Sequence, residues 1–186
     1  MKNKILVLDI ETTGFLNSNG TIVEIGICEL DIITGATRLL FDSCTHETGV
    51  TMEMVQNSWI VANSDITVKE IQYSPNLDKI RDEIQDILNM YELGCAAFNC
   101  KFDFDFMESR NFSFPKKLDC LMLLLTPVLQ LPAKNGKKGN KWPSVIQGMT
   151  HYLGIENYKE AHRGGKDCLD EAQIAYKLIQ DGYLIV

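Results

Sequence analysis

The sequence has no run of apolar residues approaching the roughly 18 that a membrane-spanning helix needs. The apolar run near the N-terminus is short and is followed at once by the acidic residue Asp9, so it does not have the pattern of a signal peptide. Six cysteines are present, but none forms a C-x-x-C pair, so we expect neither a zinc site nor a disulfide framework. These absences predict a cytoplasmic protein without a membrane anchor.

Basic residues are also in deficit. The chain carries 25 acidic residues against 18 lysines and arginines, which gives a formal net charge of -7. This balance argues against a protein that coats nucleic acid through a basic surface, but it allows an enzyme whose acidic site meets phosphate through a metal ion. The length of 186 residues and the hydrophobic content of 45% predict one globular domain over residues 1–186.

Five segments have the character of strands. Residues 5–8 form a continuous apolar run, and residues 21–30 and 36–41 complete a predicted antiparallel meander with it. Two later segments, 95–98 and 118–120, are short and lie between helical patterns. Strands first, followed by alternating helices and strands, predict an α/β domain with a mixed sheet of about five strands flanked by helices.

Helical periodicity is clearest in the second half of the chain. Apolar residues recur at three- and four-residue spacing from Asn76 onward, and again around Phe102. Further helices are predicted over residues 121–131 and 145–153 and near the C-terminal end. Residues 42–75 show no firm period, so we expect short helices and loops there.

The end of the first strand carries two acids. Because alternate side chains of a strand share a face, Asp9 and Glu11 project together. Two carboxylates about 4 Å apart repel by roughly 4 kcal/mol at an effective dielectric of about 20, so a counter-charge is expected. Mg²⁺ or Mn²⁺ suits such oxygen ligands, and Thr12, Thr13 and Gly14 add hydroxyls, amides and close backbone approach. Taken alone, two solvated acids at a strand end explain the motif equally well.

Two further clusters place polar groups near helix starts. Asn99 follows a predicted strand, and Asp103 comes about one helical turn later, where an acid is favoured even without a function. His162 and Asp167 flank two glycines. On one helix they would lie about 140° apart, so they converge only if His162 lies on the preceding loop and Asp167 in the first turn. An isolated histidine at such a position is by default a surface or capping residue.

The three clusters together resemble the motifs of the DEDDh, or DnaQ-like, 3'-5' exonucleases. The matching patterns are Asp9-x-Glu11-Thr-Thr-Gly, Asn99-x-x-Phe-Asp103 and His162 followed by Asp167 five residues later. This family includes the proofreading subunit of the bacterial replicative polymerase, RNase T, oligoribonuclease and the TREX enzymes. The resemblance spans nearly the whole chain and implies a ribonuclease H-like fold.

The resemblance also implies a role for each residue. Two divalent metal ions, Mg²⁺ or Mn²⁺, would be bound by four carboxylates: Asp9, Glu11, Asp103 and Asp167. His162 would be the general base. Contacts to the terminal nucleotide are implied for Thr12, Thr13, Gly14, Phe15 and Asn99. The implied reaction releases nucleoside 5'-monophosphates from the 3' end of single-stranded nucleic acid, and a DNA polymerase partner is compatible with it.

Two positions depart from the family pattern. Phe98 stands where histidine is common, and Gly164 where alanine is usual, a change that leaves the chemistry intact. The alternatives to an exonuclease on DNA are a non-catalytic nucleic-acid or polymerase-binding module and an RNA-specific trimming exoribonuclease. The first is disfavoured because all five catalytic positions are filled. Lys141-Trp142-Pro143 resembles family members that act on DNA, but the three motifs themselves do not reveal how a 2'-hydroxyl is read.

One basic segment interrupts the second half of the chain. It contains Lys134, Lys137, Lys138 and Lys141 without any acid, and Trp142 adjoins them. We expect either a loop that guides a nucleic-acid strand through charge and base stacking, or a solvated loop without a role.

Overall fold

A computed structural model of the protein describes residues 2–133 and 138–186. Lys134 and Lys137 of the basic segment lie outside the described residues, whereas Lys138, Lys141 and Trp142 lie within them. In these two ranges, every helix is too short or too polar to traverse a bilayer.

The sheet at the centre of the fold consists of β1 (Lys4–Thr12), β2 (Ile22–Asp31), β3 (Thr37–Cys44) and β4 (Cys95–Ala96). The strands lie in the order β3-β2-β1-β4. The first three form the antiparallel meander expected from the sequence, and β4 joins β1 in parallel. The predicted α/β class with a mixed sheet is confirmed.

The fifth predicted strand, residues 118–120, does not form. The chain meets β4 at one isolated parallel bridge, between Lys117 and Cys95, and the amide of Leu118 donates to the carbonyl oxygen of Cys95 at 2.9 Å. Pairing stops there because β4 is only two residues long and Cys120 already begins the next helix as its N-cap. The described part of the chain therefore has four strands in its sheet and not five.

Helices lie on both faces of this sheet. Their bounds are α1 (Met52–Gln56), α2 (Trp59–Asn63), α3 (Val68–Tyr73), α4 (Leu77–Asn89), α5 (Cys100–Ser109), α6 (Leu121–Leu129), α7 (Val145–Leu153) and α8 (Gly164–Gln180). A short 3-10 turn, Leu16–Ser18, follows β1. The predicted helices after Asn76 are therefore present, with α4 starting directly after it.

β1 lies between two hydrophobic cores. Leu6 and Leu8 belong to the core that includes α4 and α5, whereas Ile5 and Val7 belong to the core that includes α6, α7 and α8. Both faces are covered, which explains why the strand reads as one continuous apolar run. Asp9 continues the alternation of Ile5 and Val7, so its side chain points toward α8.

The segment between β3 and α4 forms a third, smaller core. Val55, Ile60 and Ile71 of the short helices α1, α2 and α3, with Ile66 between α2 and α3, pack with Val23 of β2. The short helices and loops expected for residues 42–75 are confirmed, apart from the end of β3. This small core places α2 beside the start of α8, because Arg163 before α8 forms an ion pair with Asp65 after α2.

β2 and α8 touch through their backbones. A Cβ at Gly26 would lie 1.9 Å from the carbonyl carbon of Gly164, and a Cβ at Gly164 would lie 2.7 Å from the amide nitrogen of Gly26. No side chain fits between the two, which explains why glycine and not alanine occupies position 164. Gly26 is also the pairing partner of Asp9 on β1, so this contact brings the start of α8 to the acidic end of the strand.

We expect Gly26→Ala to destabilise the protein by at least about 1 to 3 kcal/mol, because the added methyl group must push two backbones apart. Gly14→Ala is the matched control, since a Cβ at Gly14 meets nothing within 4 Å. Urea unfolding of both variants measures the difference. Equal stability of the two variants would show that α8 can move away from β2 at no cost.

Candidate active site

The end of β1 presents two carboxylates from one face. Asp9 pairs with Gly26 of β2 and Glu11 pairs with Glu24, after which the register shifts at Thr12. The extended backbone up to that point directs both acids to the α8 side of the sheet. The Oδ2 atom of Asp9 is buried and has no hydrogen-bond partner among the described residues.

α5 brings the third acid to the same place. Asn99 is the N-cap residue of this helix, and Asp103 lies in its first turn with its side chain buried. The amide of Asp103 donates to the carbonyl oxygen of Asn99 at 3.3 Å. Burial raises the pKa of Asp103 to about 8, although the backbone amides of Ile10 and of Asp103 itself oppose the shift.

The loop before α8 carries His162 in a left-handed backbone conformation, with a φ of 53°. Asp167, in the first turn of α8, holds this loop on both sides of the histidine. Its Oδ1 accepts from the amide of Ala161 at 3.2 Å, and its Oδ2 accepts from the amide of Arg163 at 3.1 Å. The arrangement required by the spacing is therefore present, with His162 on the preceding loop and Asp167 on the helix.

Glu24 fastens the same loop to the sheet. Its Oε1 lies 2.6 Å from Nη2 of Arg163, and its Oε2 accepts from the amide of Gly164 at 2.7 Å. Glu24 is fully buried, so breaking this pair would leave an unpaired charge in the interior, which costs about 3 to 5 kcal/mol. The start of α8, and with it His162, is thereby fixed against β2.

These elements converge on one cavity of about 180 Å³. Asp9 and Glu11 of β1, Asp103 of α5 and His162 all line it. Asp167 adjoins it, since single ligand atoms of Glu11, His162 and Asp167 all lie within 4.8 Å of one another. The five residues predicted to be catalytic from the sequence are thus brought together.

The acids of the cavity perturb one another strongly. Burial raises the pKa of Asp9 well above its usual value, and the nearby Glu171, Asp103, Glu11 and Asp167 raise it further. Burial, followed by the charge of Asp167, raises the pKa of Glu11 to about 9. None of the ion pairs within the described ranges neutralises Asp9, Glu11, Asp103 or Asp167.

This environment fits a divalent metal ion. The donors are hard carboxylate oxygens, which suit Mg²⁺ and Mn²⁺, and the orphaned Oδ2 of Asp9 needs a positive partner. A cation bound between the carboxylates would offset both their mutual repulsion and the cost of burying them. The residues that would hold it are Asp9, Glu11, Asp103 and Asp167.

Three residues near the site were missed by the sequence analysis. Glu160 and Glu171 also line the cavity, and the ring of Trp59 packs edge-on against His162 with centroids 4.9 Å apart. Glu171 follows Asp167 by four residues on α8, a spacing that places both on one face and could have revealed it. Trp59 lies in the weakly patterned segment and gave no comparable signal.

The residues expected to contact substrate divide into two groups. Thr12 donates to the carbonyl oxygen of Gly14 at 2.8 Å, and the hydroxyl of Thr13 lies 3.1 Å from that of Thr21, so both hydroxyls are engaged within the turn after β1. Asn99 lines the acidic cavity. Phe15 lies beside it, with 69% of its surface exposed.

A larger groove of about 820 Å³ adjoins the acidic cavity. Phe15, Phe102, Leu123 and Trp142 line it, and Asn99 and Phe102 line both spaces. Phe15 stands edge-on to Phe102 at 6.4 Å between ring centroids. The groove therefore offers exposed aromatic and aliphatic surface next to the acids.

No protein-family model and no curated protein matches this chain. Solved structures do match it. One described as a 3'-exonuclease with 3'-end-specific recognition of a histone mRNA stem-loop has 15% identity and a TM-score of 0.73, covering 99% of this chain and 85% of that chain. The nuclease domain of 3'hExo, a DEDDh family member bound to rAMP, has 15% identity and a TM-score of 0.66, covering 99% and 96%.

Exonuclease I of E. coli in complex with a dT13 oligonucleotide has 16% identity and a TM-score of 0.63, and the match covers 95% of this chain but only 41% of that chain. At identities this low, the structural likeness establishes the fold alone. The chain therefore has the ribonuclease H-like fold of the DEDDh 3'-exonucleases, as the sequence motifs implied.

Without metal ions, we expect the free energy of unfolding to fall as the pH rises from about 5 to about 9. The pKa values of Glu11 and Asp103 in the folded protein, about 9 and about 8, lie above their unfolded values of roughly 4.3 and 3.9. The folded protein thus binds more protons over this range. Stability is lost at up to about 1.4 kcal/mol per pH unit for each retained proton, which urea unfolding in EDTA measures.

Asp103→Asn provides the control for this slope, because it removes one of the retained protons and should make the decline shallower. Acids with a lowered pKa, such as Glu29 and Glu70, lose their stabilising effect only below about pH 4, outside the window. A stability that stays level or rises toward pH 9 in EDTA would contradict the clustering of uncompensated acids.

Proposed function

We propose that this protein is a metal-dependent 3'-5' exonuclease that hydrolyses phosphodiester bonds at the 3' end of single-stranded nucleic acid and releases nucleoside 5'-monophosphates. The observation that carries the proposal is the convergence of Asp9, Glu11, Asp103 and His162 on one cavity beside Asp167. The fold supports the same assignment, since it is shared with DEDDh 3'-exonucleases. Residues 1–186 act as one exonuclease domain in this proposal.

The metal site in the proposal is formed by Asp9, Glu11, Asp103 and Asp167, which would bind two divalent ions, Mg²⁺ or Mn²⁺. Such ions, when bound, activate a water molecule and stabilise the charge that develops on the leaving oxygen. The carboxylates would determine where the ions bind, because they are held by three different rigid elements of the fold. Asp9 and Glu11 are on β1, Asp103 is on α5 and Asp167 is on α8.

His162 serves as the general base. The oxygen of the attacking water forms a bond to phosphorus while a ring nitrogen of His162 takes its proton, and the bond from phosphorus to the 3'-oxygen of the neighbouring nucleotide breaks. Asp167 holds the backbone on both sides of the histidine, and the ring of Trp59 packs against the imidazole. Such positioning matters because proton transfer requires hydrogen-bond distance to the water.

The substrate strand would lie in the large groove. Phe15, Phe102 and Trp142 expose aromatic surface on which bases can stack, a sequence-tolerant contact that contributes about 1 to 3 kcal/mol per base. Stacking of this kind needs unpaired bases, so the groove favours a single strand. Asn99 and Phe102 line both spaces, so the 3'-terminal phosphodiester can reach the acids while the preceding bases occupy the groove.

DNA is the favoured strand in this proposal, with RNA as the alternative. The segment Lys141-Trp142-Pro143 resembles the corresponding segment of family members that act on DNA. Of the structural neighbours, one is described with an mRNA stem-loop and another with a dT13 oligonucleotide. A non-catalytic binding module is disfavoured because all five proposed catalytic positions carry the residue type that the motifs require. A polymerase partner, which the family resemblance allows, gains no support from these neighbours.

The activity is tested with 5'-labelled single-stranded DNA and RNA of equal length in Mg²⁺, Mn²⁺ or EDTA. We expect shortening from the 3' end with either ion and none in EDTA. Asp9→Asn should abolish the shortening while leaving the metal-free protein at least as stable, because it removes one member of the acid cluster. Thermal unfolding in EDTA measures the stability.

The matched control is Asp86→Asn, which makes the same change on the exposed face of α4. It should retain parental activity and parental stability. Shortening by Asp9→Asn at the parental rate would contradict the assignment of the metal site, and equal digestion in EDTA would contradict metal dependence altogether.

We expect His162→Ala to lower turnover at saturating metal by about two to four decades, the usual contribution of a general base. Affinity for Mn²⁺, measured by titration calorimetry, should change little. His151→Ala, on the exposed end of α7, is the control and should leave turnover unchanged. If metal affinity fell as far as turnover, His162 would be a metal ligand and not the base.

A further inference from the structure

We propose that Glu171 is a fifth metal-binding carboxylate of this site, an inference that rests on the proposed metal-dependent function. The four acids of the DEDDh motifs do not include it, and nothing in the sequence motifs marks it. Its position in the structure carries the proposal. Glu171 lies on α8 one helical turn after Asp167, so the two side chains project from the same face of the helix.

The side chain of Glu171 is buried with one of its two carboxylate oxygens unpartnered. Only 3% of the residue is exposed, and its Oε2 atom has no hydrogen-bond partner within the described residues. Removing a carboxylate from water without a counter-charge or hydrogen bonds is costly, so such groups are paired or coordinate metal ions. A buried acid without such partners either keeps its proton or is ionised because something else supplies positive charge.

The other two buried glutamates are each paired with a cationic side chain. Glu24 is paired with Arg163 at 2.6 Å, and Glu29 is paired with Lys4 at 2.5 Å. Within residues 2–133 and 138–186, Glu171 has no such cation, although it is buried to the same degree. The contrast indicates that no described cationic side chain compensates this acid.

The cavity places Glu171 where a cation would lie. It lines the same space as Asp9, Glu11 and Asp103, and Oδ2 of Asp9 is the second unpartnered carboxylate oxygen there. Two residues with an orphaned oxygen, one on β1 and one on α8, therefore line one small cavity. A divalent ion needs about six oxygen ligands, and a further protein carboxylate replaces one that water would otherwise supply.

Glu160 lines the cavity as well but does not carry the same argument. It is only partly buried and lies on the loop before His162, so water can satisfy its carboxylate. Glu171 combines burial, an unpartnered oxygen and placement on a rigid helix. With Glu171 as an additional ligand, the protein can bind a metal ion before the substrate phosphate arrives.

The test is direct titration of the full chain with Mn²⁺ in the absence of nucleic acid, by calorimetry. We expect Glu171→Gln, which keeps the shape and removes the charge, to weaken Mn²⁺ binding by at least about tenfold. Glu171→Leu, which also removes the polar atoms, should weaken it equally. Asp105→Asn is the control, because this half-buried acid of α5 is already paired with Lys101, and the variant should bind Mn²⁺ like the parent.

Thermal unfolding supplies an independent readout. In EDTA both Glu171 variants should be at least as stable as the parent, because an uncompensated buried acid has been removed. Saturating Mn²⁺ should then raise their melting temperature by less than it raises that of the parent. Unchanged Mn²⁺ affinity in the Gln and Leu variants would overturn the proposal and identify Glu171 as a buried neutral acid.

Failure of this inference is distinguishable from failure of the proposed function. A parent protein that binds Mn²⁺ and shortens single strands, with Glu171 variants of equal affinity, refutes only the role of Glu171. A parent protein that neither binds Mn²⁺ nor shortens any strand refutes both.

Discussion

Electrostatic repulsion among carboxylates at the buried end of β1 is the constraint on which the rest of the structure depends. Asp9, Glu11, Asp103 and Glu171 face one cavity, and none of them has a cationic partner among the described residues. Each close pair of ionised carboxylates would cost several kcal/mol, and the raised pKa of Glu11 reflects burial together with this repulsion. The two hydrophobic cores on either side of β1 have to offset this cost, which leaves the site with a strong demand for positive charge that a divalent metal ion would meet.

The start of α8 is the element that turns this acidic strand end into a site. Gly26 and Gly164 allow the helix backbone to approach β2 more closely than any side chain would permit. Glu24 then binds both the guanidinium of Arg163 and the amide of Gly164, so the loop carrying His162 cannot drift from the sheet. The histidine is therefore positioned by buried contacts that lie behind it and take no part in the chemistry.

In the proposed function, the acidic cavity and the adjoining groove would have different roles in recognition. The cavity attracts cations and repels bare phosphate, so affinity for a nucleic-acid strand cannot come from the acids themselves. In the proposed exonuclease, the groove would supply it through the aromatic surface of Phe15, Phe102 and Trp142. Stacking of this kind would let a chain with a net charge of -7 bind a polyanionic strand.

The sequence by itself determined the α/β class, the meander and the helices after Asn76, because these follow from local periodicity. It also determined the five motif residues, since Asp9 and Glu11 share a face by strand geometry and the resemblance connects the rest. Tertiary structure alone decided what distant segments do to one another. A fifth strand failed because its neighbour β4 is too short to pair with it. The spacing of Asp167 and Glu171 shows that they share a helix face, but only the packing of α8 on β2 aims that face at the acids of β1. Trp59 reaches His162 because the small core packs α2 beside the start of α8, and no local pattern encodes the orientation of one element against another.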